Sequence, residues 1–473
     1  MRGSVTPMAQ THFKNLDAES RALHDSWDNI ARIVFLVAVL SVMVWAAVSA
    51  LRWAVHSTTH LLFRAVEHKG GLLGAGALLG ALLVGGALRG WLVRRPGWSE
   101  AAGDGMDVAL ANYHVTYEHA GDDPQPRYAR PAFSLALRKG VFTFVTLGAG
   151  GSGGLEAPSV LMGESISAGF ARVMGIRSEY ELRTYQLAAI SASVSTLLGA
   201  PFTAALFATE VAYGDRIIYR KLAYALWSGV IAYTLSTHLH GFRPLFVGPD
   251  HAPVYSLSEY GAAALVAVAV SVPVALGFGR AMIELKGLVH RFDRRGHAIL
   301  TSLCVGLVAL SLRWTLGLPP HAVLGMGEET LHAILSGDAA MSSWRILGVV
   351  LVGKVVTTGL TLHGGGSAGL LVPSMFLGGV SGAMVAQVAN LTGVVTLDPA
   401  LFAVVGIGSS LVAVVGVPLS AIALVLEVFG KSFGPPAILA IGVTYLLTLK
   451  FKIYANQRMS PDPGRDETGS AAG

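Results

Sequence analysis

Gly154-Leu-Glu-Ala-Pro-Ser159 and Gly369-Leu-Leu-Val-Pro-Ser374 are one glycine-rich turn written twice in an apolar background, at an offset of 215 residues (369 − 154). The match extends outward at the same offset. Gly150-Gly151-Ser152 faces Gly365-Gly366-Ser367, Gly163 faces Gly378, and Lys139 faces Lys354. A further pair follows, Gly199-Ala-Pro-Phe-Thr-Ala204 with Glu210 against Gly416-Val-Pro-Leu-Ser-Ala421 with Glu427. Two halves that each break a membrane helix at matching places build one midplane binding site between them.

The surrounding composition is that of an integral membrane protein. Of 473 residues, 53% are hydrophobic and 13% charged, against about a quarter charged in soluble domains. Mean hydropathy is +0.57. The net charge of +5 reads as basic loop ends rather than a nucleic-acid surface. Cys304 is the single cysteine, which excludes an intrachain disulfide and a cysteine metal cluster. The chain start mixes both charge signs and lacks the three-part build of a signal peptide.

Residues 1–29 read as a cytosolic lead-in and residues 30–240 as a first membrane half. It opens on a long apolar stretch from Ile30 to Phe63, enough for a strongly tilted span of the ~30 Å hydrocarbon core. Residues 241–256 hold three prolines and no periodicity and divide the halves. Residues 257–457 form the second half, which again opens on a long apolar helix, from Leu257 toward Arg291. Residues 458–473 are polar and rich in Ser, Gly and Pro, a disordered tail. The expected fold is all-α: an inverted repeat of two helical halves with broken and tilted helices. Irregular backbone at membrane depth persists only where protein or a water-filled cavity satisfies it, so the turns line a site.

In Gly154-Leu-Glu-Ala-Pro158 the proline suits a helix's first turn, where its missing N–H would be unpaired anyway. The glycines before it let the backbone approach a ligand closely. The product is a helix N-terminus with unpaired N–H groups and partial positive charge, an anion site by construction. Gly369 to Pro373, Gly199 to Pro201 and Gly416 to Pro418 repeat the device. Four such starts, in matched order, outweigh ordinary Gly/Pro kinks. The candidate anion-binding positions are Gly154, Leu155, Ala157, Gly369, Leu370, Leu371 and Val372. Glu156 is the asymmetric element, because its mate is Leu371. A carboxylate among anion-binding N–H groups mimics the anion when ionised and leaves when protonated, a gate and proton acceptor in one residue. Its bland reading is a carboxylate stabilising a helix dipole, worth about 0.3–1 kcal/mol; intramembrane carboxylates favour the gate.

These residues carry a family resemblance. The chain resembles the CLC anion channels and proton-coupled anion antiporters over residues 30–457. That resemblance implies chloride or a similar small anion as substrate and protons as possible partners. It also implies a homodimer in the bilayer with one pore per subunit, and cytoplasmic termini in a cell (inner) membrane. Gly154-Leu-Glu-Ala-Pro158 stands where the family has Gly-Arg/Lys-Glu-Gly-Pro, so Glu156 resembles the external gating glutamate. Gly369-Leu-Leu-Val-Pro373 stands where Gly-x-Phe-x-Pro is usual. Tyr454 resembles the tyrosine whose hydroxyl contacts the central anion. Lys139 falls at a position often basic in the family, and the Gly-Ala-Pro and Gly-Val-Pro segments match helices at its dimer interface. The short stretch after Tyr454 leaves no room for the paired nucleotide-binding modules of many eukaryotic members, which implies a prokaryotic, pore-only type.

Three departures bear on mechanism. Gly103-Asp-Gly-Met-Asp107 stands where Gly-Ser-Gly-x-Pro is usual, so Asp104 replaces a hydroxyl that would donate to chloride. An ionised Asp only accepts. Either it is protonated when the anion passes or it points away and caps a helix, and Asp is a good cap. Val211 occupies the position of the intracellular-side glutamate of proton-coupled members. Glu210, one residue earlier, faces elsewhere on a helix by about 100°, and its repeat partner Glu427 argues for a structural role in both. The expectation is therefore channel-like or weakly proton-coupled transport, with full antiport as the alternative. Leu371 replaces the usual Phe and softens the pore. Glu164 reads as a polar position on its helix and His363 as a packing histidine. A CLC-fold sensor that has lost transport is the reading from another class. No phosphate loop, nucleotide fingerprint, metal spacing or nucleophile arrangement points to a cofactor or an enzyme.

Overall fold

The computed structural model describes residues 26–449 except 116–131, 177, 214–218, 241–245, 247–252, 254, 290 and 292–296. The described residues are almost wholly helical, with isolated bridges in place of strands. The first half runs α1 (Trp27–Lys69), α2 (Gly71–Leu92), α3 (Met106–Val115), α4 (Ala132–Gly148), α5 (Glu156–Val173), α6 (Glu179–Leu198), α7 (Pro201–Glu210) and α8 (Tyr219–His240). The second half runs α9 (Leu257–Val266) continuing into α10 (Val272–Val289), then α11 (His297–Leu316), α12 (Glu328–Leu335), α13 (Trp344–His363), α14 (Leu371–Leu391), α15 (Pro399–Val415), α16 (Pro418–Leu424) and α17 (Gly434–Thr448). Taken in order, α9–α10 answers α1 and each later helix answers one of the first half.

Sequence explains the ends and bends. Ser26 opens α1, its hydroxyl accepting the Asp28 N–H at 3.2 Å. Pro273 removes an N–H inside the α9–α10 span, and a π turn over Ala267–Ser271 precedes it, a usual way to absorb such a break. Six stretches are long and apolar enough to cross a membrane: α1, α2, α9–α10, α11, α13 and α14. Five of them expose at least half of their most apolar stretch, as helices facing lipid would; α14 does not, with 78% of it buried. Its counterpart α5 is buried from Glu156 through Ala171. The two helices that begin at the repeated turns thus lie in the interior of the molecule, together with α6 and α15, which are buried almost throughout.

Close approach inside this core depends on small residues. At Gly382, against α15, an added Cβ would stand 2.0 Å from the Phe402 carbonyl oxygen. Glycine at such crossings lets helices pack without the hydrophobic drive that water supplies.

Candidate functional site

The two turns meet at the centre of the molecule. Gly154 N–H donates to the Gly369 carbonyl at 2.9 Å and Gly369 N–H returns the bond to Gly154 at 2.8 Å. The pairing is antiparallel, as segments related by a two-fold axis require. The flanking bonds obey the 215-residue offset. Ser152 N–H donates to Thr361 Oγ1 at 3.1 Å and Ser367 N–H to Thr146 Oγ1 at 3.0 Å. Ser152 and Thr358 hydroxyls stand 3.0 Å apart, Ser367 and Thr143 hydroxyls 2.8 Å.

Both lysines foreseen from the repeat are buried and do the same work. Lys139 Nζ donates to the Gly103 carbonyl at 2.8 Å and to Ala101 at 3.2 Å. Lys354 Nζ donates to the Gly325 carbonyl at 2.7 Å. Each ammonium thereby fixes a glycine turn that pairs with the opposite half, Gly103 to Gly366 at 2.8 Å and Gly325 to Gly151 at 3.0 Å.

Glu156 begins α5 and is wholly buried. Its carboxylate meets no other side chain and faces instead the Leu155 and Glu156 N–H groups of its own helix start, too loosely for well-formed hydrogen bonds. The side chain folds back over its own helix start: a Cβ added at Gly154 would stand 2.5 Å from Glu156 Oε2 and 3.1 Å from Val372 Cβ. Gly154 must be glycine for that carboxylate to lie there. Leu155, Ala157, Leu370, Leu371 and Val372 are all buried around it, and a Cβ at Gly369 would touch Ala157 N–H at 3.2 Å.

Asp104 caps a helix, one of the two readings left open, and also reaches across to the second half. Its Oδ2 accepts the Met106 N–H at 3.2 Å, capping α3, and its Oδ1 accepts the Leu370 N–H at 2.7 Å, at the start of α14. Gly154, Glu156, Gly369, Leu370, Asp104 and Lys139 therefore stand together. Glu210 does not join them. It accepts the Leu419 and Ser420 N–H groups at 3.1 and 2.9 Å, at the start of α16. Glu427 returns the cap to α7, accepting Phe202 N–H at 3.0 Å and Thr203 N–H at 2.8 Å. Val211 lies buried at the C-terminal end of α7. Glu164 accepts from Asn112 at 2.9 Å and Gln186 at 3.2 Å, a packing role. Tyr454 lies outside the described residues.

Sequence reasoning passed over Arg52 and Glu328. Arg52 interacts electrostatically with both Glu328 and Glu156. The signal was available: a cation deep in an apolar stretch is a functional candidate by default. Glu328 also lines a cavity of about 60 Å³ with His56, His60, Phe63, His321 and Glu329. There the His321 hydrogen bond, 3.0 Å, holds the Glu329 carboxyl below its usual range.

Paired, inverted helix starts buried among helices long and apolar enough to cross a bilayer are those of a multi-pass membrane protein. Residues 85–449 match the sequence model of the voltage-gated chloride channel family, and the chain belongs to that family. It is 25% identical over 314 residues to a chloride/fluoride channel protein of Pseudomonas syringae pv. tomato (strain ATCC BAA-871 / DC3000), spanning 66% of this chain and 66% of that one. The fold is similar to a slow cyanobacterial Cl⁻/H⁺ antiporter at TM-score 0.74 and 18% identity, covering 88% of this chain and 94% of the other. It is similar to a CLC-type fluoride/proton antiporter at TM-score 0.72 and 20% identity, covering 92% and 100%.

Proposed function

We propose that the chain passes a small monovalent anion, chloride or fluoride, across the bilayer through the paired turns, one path per subunit of a homodimer. Glu156 is the gate. The observation that carries this reading is the wholly buried Glu156 carboxylate, folded against Gly154 and over the N–H groups of its own helix start. It occupies the place a helix N-terminus offers an anion. An incoming anion and the carboxylate exclude each other, and a proton on Glu156 removes the competition. The names of the relatives supply chloride and fluoride as substrates to compare.

Transport is channel-like or weakly proton-coupled. Residue 211 is valine, and the neighbouring Glu210 is committed to capping α16. In this reading the halves, residues 30–240 and 257–457, flank the site, with both termini cytoplasmic in the cell membrane. Tyr454 is retained as an anion contact from the inner side. Proteoliposomes loaded with chloride or fluoride test the function. Wild type releases at least one of them, and Glu156→Gln changes the rate of release or its dependence on acid. The reading fails if no monovalent anion leaves the vesicles. A reversal potential that follows a proton gradient would establish antiport in place of a passive path.

A further inference from the structure

Asp104 divides its two oxygens between the halves of the molecule. Oδ2 caps α3 through the Met106 N–H, a local task for which a serine would serve. Oδ1 reaches a residue 266 positions away and accepts the Leu370 N–H at 2.7 Å. Leu370 immediately precedes α14, so this amide is one of those left open at a helix start. Each interior helix start is thus faced by a carboxylate from the first half, α5 by Glu156 and α14 by Asp104.

The fold itself does not require the second contact. Gly325-Met326-Gly327 mirrors Gly103-Asp104-Gly105, with Lys354 on Gly325 as Lys139 is on Gly103. A methionine stands where the aspartate would be, and the mirrored turn still pairs with Gly151 and Gly153. The charge at residue 104 therefore answers something other than the backbone. Its charged surroundings are Lys139 on α4 and Asp107 on α3; Arg89 on α2 stands against Gly366, the glycine paired with Gly103, and donates to the Thr361 carbonyl at 3.3 Å. His363 ends α13 nearby in sequence to the turn.

We propose that Asp104 is a second tethered anion of the pathway, which holds the Leu370 N–H when ionised and yields it to a transported anion when it takes a proton. The inference rests on the anion path described above and deepens it. In the step, a proton from the bathing solution, relayed by pathway water that is left unchanged, bonds to the Asp104 carboxylate, and the Leu370 N–H exchanges that oxygen for the incoming anion. One positive and one negative charge enter together, so the site's net charge is unchanged beside Lys139. This supplies a second proton-accepting group besides Glu156.

The test fixes the gate first. In Glu156→Gln proteoliposomes the gate no longer titrates, so any remaining pH response belongs elsewhere. The expected result is a residual rise of chloride or fluoride efflux with acid, up to about tenfold per pH unit, the limit for one titrating group. Asp104→Asn in that background removes the rise. Asp104→Ser, which keeps a cap for Met106, does the same if the asparagine variant fails to fold. Calorimetry of anion binding should show tighter, pH-independent binding in either variant. A pH-independent Glu156→Gln protein, or a rise that survives loss of the Asp104 carboxylate, overturns the proposal and leaves the anion path standing. Absence of all anion flux overturns the path itself.

Discussion

Lys139 and Lys354 form a natural experiment, because the repeat gives them the same backbone task and different electrostatic company. Lys139 feels the Asp104 carboxylate, whereas Lys354 lies 5.3 Å from the centre of the Phe376 ring and donates to carbonyls. Lys354→Met leaves the Gly325 carbonyl short of a donor in a buried turn, at a cost of about 1–3 kcal/mol. Lys139→Met does this and strands a buried carboxylate, so it should cost about 3–5 kcal/mol. Thermal unfolding in detergent reads the order; an equal or reversed order means that Asp104 is not balanced by Lys139. The sequence made the lysine pair visible by its shared offset, Glu156 by its contrast with Leu371, and residue 104 by its departure from the family's pattern. The Asp104–Leu370 contact was not legible, because it joins segments 266 residues apart. Arg52 was hidden by its surroundings, one cation in a stretch whose apolar character dominated the reading.

At the scale of elements, the Gly-x-Pro junctions behave as their chemistry requires. Gly199 and Gly416 close α6 and α15 in the left-handed region, at φ 68° and 76°, and Pro201 and Pro418 start α7 and α16. Helix order and the matched breaks were therefore readable from glycine, proline and apolar runs. The exchange of caps was not, because a carboxylate at a helix end names no partner. Glu210 serves α16 and Glu427 serves α7, each tying one half to the other. Removing a capping side chain costs about 0.5–2 kcal/mol, and hydrogen bonds to an ionised acceptor are stronger than neutral ones. Glu210→Ala should lower stability by about 2 kcal/mol and leave the ratio of proton to anion flux unchanged. Glu427→Ala, whose carboxylate is exposed, should cost less. A Glu210→Ala protein of normal stability with altered proton flux would assign Glu210 to the proton route.

The whole molecule presents two kinds of apolar surface. Along α2 the exposed residues are apolar on a full-length span, among them Leu72 and Leu73, which lipid accommodates. The face built by α7 and α16 is different. Phe202, Leu419 and Leu426 are exposed there beside Glu427, and the helices are short, Pro201–Glu210 and, with the π turn that continues α16, Pro418–Phe429. Neither crosses the hydrocarbon, so helix ends and a charge lie at depth, where lipid leaves polar groups unsatisfied. The homodimer proposed above would cover such a face with a second copy of the chain, and a two-fold pairing needs one patch that is complementary to itself. The lone Cys304 makes this directly measurable. In a Cys304→Ser background, Leu419→Cys should give a covalent species of twice the chain mass with a short bifunctional maleimide in vesicles. Leu72→Cys in the same background should stay at the mass of one chain. Because each subunit carries its own complete pair of turns, the cross-linked protein should keep its anion flux. A monomeric Leu419→Cys protein that still passes anions would show that the short helices are covered by something other than a second subunit.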